Sequence, residues 1–116
     1  MCYSHEELII NQKVEGVKVK ITHQVESLLM TELELQKGAL LPEHMHKSDH
    51  SGYLLQGRIR MYIDGLARDL VQGDSWYIAK NTVHYTEAFE DAVVIEVFNH
   101  EHEDLQYYQQ ACKAEG

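Results

Sequence analysis

Apolar and polar residues alternate with a period of two along most of this chain, the spacing of strands rather than helices. Val17, Val19 and Ile21 share one parity while Lys18 and Lys20 hold the other, which predicts a half-buried strand over residues 17–21. Leu29, Thr31, Leu33 and Leu35 form one face of a second strand. In residues 58–63, Ile59, Met61 and Ile63 alternate with Arg58, Arg60 and Tyr62. Asp64-Gly65 then supplies a favoured two-residue hairpin turn, and residues 66–71 form the return strand. Residues 52–57, 75–78 and 84–86 read as shorter strands, and residues 92–98 as the strongest of all. Residues 1–12 are polar, although Leu8, Ile9 and Ile10 can pair with a sheet edge. Pro42 lacks a backbone donor and belongs at an edge or a strand start. Residues 101–114 are the one stretch that admits a short helix, and its apolar face is weak. Short strands at regular spacing imply an all-β sandwich or barrel, in one domain spanning residues 1–116.

Composition narrows the function more than the fold. With 116 residues the chain supports one real core. A formal net charge of -9 argues against nucleic acid, which needs a basic stripe. It leaves room for a small anionic substrate, met by one or two local cations. No apolar run reaches the roughly 18 residues of a membrane helix. The N-terminus has no basic segment leading into an apolar one, so no signal peptide is expected and the cytoplasm is the default location. Cys2 and Cys112 lie near opposite ends, form no CxxC pair and are most simply free thiols.

Histidine is the compositional outlier, with eight copies. His44, His46 and His50 share one parity, so on an extended segment all three would project from one side. On a helix His44 and His46 would lie about 200° apart. Three imidazoles on one face suit a divalent metal, and neutral imidazole accepts zinc, copper, iron or nickel, with manganese also possible. His84, after its own glycine at Gly73, can reach the same point from another strand. Glu96 interrupts the apolar strand 92–98 on the face of Val94 and Phe98. There it either faces solvent at a rim or sits inside as a general acid/base. Arg60 can grip a carboxylate bidentately or lie on the solvated side of its strand, while Tyr62 and Gln56 are candidate pocket residues.

These residues resemble a small single-domain cupin. Gly38, His44, His46 and Gly57 match the first cupin motif, with His50 where glutamate is commonest. Gly73 and His84 match the second, with Ala79 and Asn81 replacing its proline and second glycine. The resemblance implies a double-stranded β-helix, an antiparallel jelly-roll barrel of six or more strands. Residues 38–98 would hold the metal-binding core, and one divalent ion (zinc, nickel, manganese or iron) would sit on His44, His46, His50 and His84.

A narrower resemblance is to the pectin-degradation cupins of the KdgF type, carried by residues 52–57, 73–78 and 91–98. It implies conversion of 4,5-unsaturated uronates to open-chain keto acids in a homodimer, with Glu96 and Phe98 at the catalytic centre. An arginine of that family has its place taken here by His102. Two other readings fit the same site: a metal-dependent dioxygenase of the cupin type, and a non-catalytic module that binds sugar or another small ligand.

Overall fold

The computed structural model describes residues 2–3, 7–8, 14–25, 28–45 and 48–99. Among them the chain is all β, and every strand pairing is antiparallel. The strands in order are β1 (Cys2–Tyr3), β2 (Glu7–Leu8), β3 (Val17–Val25), β4 (Leu28–Leu35), β5 (Leu40–His44) and β6 (His50–Gln56). They continue with β7 (Arg58–Ile63), β8 (Leu66–Val71), β9 (Ser75–Ile78), β10 (His84–Ala88) and β11 (Ala92–Asn99). One sheet has the order β1-β3-β4-β11-β6-β9, with β2 also on β3, and the other has the order β5-β10-β7-β8.

The period-two pattern decides which faces meet. In β4, Leu29, Thr31, Leu33 and Leu35 are buried and the residues between them are not. In β7, Ile59 and Met61 are buried. Val19, Leu33, Leu54, Ile59, Met61, Trp76 and Val94 belong to one core cluster drawn from both sheets. Each central strand changes character along its length. In β11, Ala92 and Val94 enter that core before Glu96 arrives; in β6, Leu54 enters it while His50 lies at the other end. The apolar interior therefore occupies one part of the barrel and the polar side chains another.

Most strand bounds follow the pattern, and the departures have physical causes. β3 runs on to Val25 because a register shift between Ile21 and His23 resets its parity, and Thr22 Oγ1 donates to Met30 O at 2.9 Å. Pro42 lies in β5, an edge strand of the smaller sheet, where no ladder donor is missed. Asp64 and Gly65 both take positive φ, at 49° and 82°, the geometry of a type I′ hairpin turn. Leu8 pairs with Val19 at the sheet edge; Ile9, Ile10 and residues 101–114, with their admissible helix, lie outside the described residues.

The histidine segment is the main correction. His44 and His50 do not share one strand: His44 closes β5 in one sheet, and His50 opens β6 in the other. Ser48 and Asp49 turn the chain between the sheets. Parity along a single strand cannot align residues across such a corner, so His44 and His50 converge because the corner joins two facing sheets.

Leu54 is fully buried, whereas its neighbour Leu55 is 48% exposed. Leu54→Ala should therefore cost about 2–5 kcal/mol, and Leu55→Ala under about 0.5 kcal/mol. Urea denaturation of the two variants checks this, and equal losses would contradict the assigned faces.

Candidate metal centre

Cross-strand pairing brings the first two histidines together. His44 and His84 are register partners between β5 and β10, with ring centroids 4.1 Å apart. From the opposite sheet, His50 brings its ring within 5.4 Å of His84. His50 and His84 are buried, and His44 is half-buried.

The backbone sets the tautomers of two of these rings. His44 Nδ1 lies 2.7 Å from Pro42 O, and His84 Nδ1 lies 2.9 Å from Thr82 O. A carbonyl only accepts, so each Nδ1 carries the proton and donates it. In the neutral ring, Nε2 then bears the lone pair, as in metal-ligating histidines held by a backbone carbonyl.

Supporting contacts hold the segments that carry the rings. The N–H of Lys80 donates to Asp49 Oδ1 at 2.9 Å, and the N–H of Asn99 donates to Asp49 O at 3.2 Å. Asp49 thus ties the start of β6 to the segment after β9 and to the end of β11. Before His84, Asn81 takes φ 62°, a left-handed conformation that asparagine tolerates better than most residues. This explains how asparagine can stand where the second cupin motif has glycine.

β11 adds the remaining chemistry. Phe98 is the register partner of His50 and stacks on it, with centroids 4.7 Å apart and planes 25° apart. Glu96 Oε2 lies 3.1 Å from His50 Nε2, and the two side chains are 14% and 1% exposed. Glu96 therefore faces the histidines rather than solvent at a rim. At that separation the carboxyl group and the imidazole are in direct polar contact.

His46 and His102 lie outside the described residues. Among the described residues, no three His, Cys, Asp or Glu side chains close to metal-binding spacing. The donor chemistry nevertheless fits a divalent ion, since His44 and His84 each present an Nε2 lone pair from a ring oriented by a carbonyl.

Arg60, Tyr62 and Gln56, three of the expected substrate-binding residues, are not at this centre. Arg60 and Tyr62 lie on the outward face of β7, opposite to buried Ile59 and Met61. Arg60 Nε donates to Asp69 Oδ1 at 2.6 Å and Nη2 to Asp69 Oδ2 at 3.2 Å, while its guanidinium also sits 5.0 Å from the Phe89 ring centroid. The hydrogen bond from Arg60 holds the Asp69 carboxyl below its ordinary pKa. Tyr62 stacks on Tyr85 at 4.1 Å. Gln56 is exposed and closes β6 at the end away from His50. The alternation of residues 58–63 was readable, but not which parity faced inward. Sequence reasoning missed Asp49 and the Pro42 and Thr82 carbonyls; the only signal for Asp49 is its place directly before His50, and a backbone carbonyl leaves no signal at all.

The cupin-domain family profile matches residues 31–98. The chain belongs to the cupin family. His44, His50 and His84 thus stand where the two cupin motifs of the sequence meet in space. The chain is 30% identical over 93 residues to the pectin degradation protein KdgF of Dickeya dadantii, covering 78% of this cupin and 84% of that protein. The structure of KdgF from Halomonas sp. superposes with TM-score 0.75 at 30% identity, covering 87% of this chain and 91% of that one. An RmlC-like cupin from Shewanella frigidimarina shares the fold, with TM-score 0.76 at 23% identity over 89% of this chain and 94% of that one. Among the described residues, no helix is long and apolar enough to cross a membrane.

Two outcomes follow from this geometry. In metal-free protein in mildly alkaline solution, long-range nitrogen–proton NMR should show His44 and His84 as Nδ1–H tautomers; an Nε2–H tautomer for either would contradict the assignment. Asn81→Gly should keep full thermal stability, whereas Asn81→Val should lose about 1–2 kcal/mol, as read by denaturant titration.

Proposed function

We propose that this cupin is a metal-dependent enzyme that converts 4,5-unsaturated uronates, breakdown products of pectin and alginate, into linear keto acids. The observation that carries the reading is the 3.1 Å approach of Glu96 Oε2 to His50 Nε2 in the buried histidine cluster. A carboxyl group placed there can serve as a proton carrier beside a metal centre. Similarity to a protein named for pectin degradation, and to a solved KdgF, supports the substrate class.

In this reading His44, His50 and His84 hold the ion, with His46 joining them on the strength of the motif. Zinc, nickel, manganese and iron all suit imidazole donors. When bound, the ion supplies Lewis-acid charge, undiminished by neutral ligands, which favours an anionic sugar acid and polarises its oxygens. Glu96 takes the proton of the anomeric hydroxyl as that carbon becomes a carbonyl and its bond to the ring oxygen breaks, and it returns the proton to the alkene carbon of the released enolate, which becomes the ketone. The reaction is an isomerisation, so atoms and electrons balance without an oxidant. Phe98 holds the plane of His50 by stacking and keeps water away from that side of the centre. With Arg60 paired outward to Asp69, recognition of the substrate carboxylate falls to the centre itself.

The test is loss of near-ultraviolet absorbance from an unsaturated galacturonate on addition of metal-loaded protein. Chelation should abolish turnover, and restoring the metal should recover it. Glu96→Gln should lower kcat by about 10²–10⁴-fold while keeping the fold. Full activity in that variant would remove the proton-transfer role. Oxygen uptake with a diketone, without uronate turnover, would move the site to dioxygenase chemistry.

A further inference from the structure

Glu96 has polar neighbours on the inner face of the larger sheet. The pairing register sets Ile21, Thr31, Glu96, Gly52 and Trp76 in one row across β3, β4, β11, β6 and β9. Directly opposed residues on adjacent antiparallel strands lie about 4.5–5.5 Å apart. Thr31 is therefore the immediate neighbour of Glu96 on one side, and Gly52 on the other.

Gly52 matters because it has no side chain. A Cβ there would collide with Trp76 at Cε2, Cζ2 and Nε1. The nitrogen-bearing edge of the indole therefore lies over the Gly52 backbone, next to Glu96. Thr31 and Trp76 are only 1% and 8% exposed. Neither Thr31 Oγ1 nor Trp76 Nε1 has a hydrogen-bond partner among the described residues. Buried polar groups are rarely left this way, because each loses its hydration without a return. Packing alone does not require either one: valine and phenylalanine would fill similar space without burying a donor.

We propose that Thr31 Oγ1 and Trp76 Nε1 form two oxygen-binding positions, one on each side of Glu96, which take neutral hydroxyl or carbonyl oxygens of the sugar acid and hold the ring beside the Glu96 carboxyl group. The indole N–H only donates, so the bound atom accepts from it, while the threonine hydroxyl can donate or accept. A ligand carboxylate is disfavoured here by the neighbouring charge of Glu96 when that group is ionised. The class of ligand rests on the uronate reading above, whereas the pair of donors rests on the register and burial alone.

The experiment measures binding of saturated galacturonate to metal-loaded protein by calorimetry. Thr31→Val should weaken binding about three- to tenfold, and Thr31→Ser should restore it. Because the hydroxyl has no partner in the fold, Thr31→Val should unfold at the same denaturant concentration as the parent, or a higher one. Trp76 is the only tryptophan, so biosynthetic replacement by benzothienylalanine, which exchanges N–H for sulfur with little change of shape, should weaken binding similarly. Unchanged affinity in both altered proteins would overturn the subsite and leave the uronate reading standing. A stability loss in Thr31→Val would show the hydroxyl committed to the fold and would also overturn it. The uronate reading is tested separately by turnover of unsaturated galacturonate: if the parent protein turns none over and binds no galacturonate, that reading falls and this subsite falls with it.

Discussion

Imidazole and carboxyl groups inside a barrel lined by leucine, isoleucine and valine must find partners or change their charge state. The rest of this structure can be understood from that constraint. His44 and His84 meet it through the Pro42 and Thr82 carbonyls. His50 meets it through Glu96 and the face of Phe98. For His44 and His84 the carbonyl takes Nδ1 rather than Nε2, whereas His50 meets Glu96 through Nε2. Burial thus acts as a positioning device, since the contacts that make a polar interior tolerable also align it for a ligand.

The scaffold separates two tasks along the same strands. One end of β6 and β11 carries Leu54, Ala92 and Val94 into the hydrophobic core, and the other carries His50, Glu96 and Phe98. The apolar end supplies most of the folding free energy through buried area. Firmly packed strands then hold the polar end, with His50, Glu96 and Phe98, in a fixed arrangement. The corner between β5 and β6 completes the arrangement. It passes the chain from one sheet to the other, and Asp49 ties it to the segment after β9 and to the end of β11.

Much of this was legible in the residues themselves. Alternation located β4, β7, β8, β9 and β11, and Asp64-Gly65 announced its turn, because both signals are local. The histidines were legible as a cluster, but equal parity was the wrong reason for it, since His44 and His50 belong to different sheets. Arg60 and Glu96 show the remaining limit. Each sits in an alternating strand, yet Arg60 faces outward to Asp69 and Glu96 inward to His50. Only cross-strand register distinguishes them, and register depends on residues distant in the chain. Thr31 illustrates the same point: it interrupts a leucine face much as Glu96 interrupts a valine face, but their adjacency across β4 and β11 cannot be read from either segment alone.

The central proposal is that His44, His50 and His84 hold a divalent metal ion. X-ray absorption spectroscopy of the zinc-loaded protein tests it most directly, with metal content measured on the same sample. The account predicts one equivalent of zinc with a first shell dominated by imidazole nitrogen at about 2.0–2.1 Å, and loss of that imidazole signature in His84→Ala. Zinc well below one equivalent, or a first shell without imidazole scattering, would contradict it.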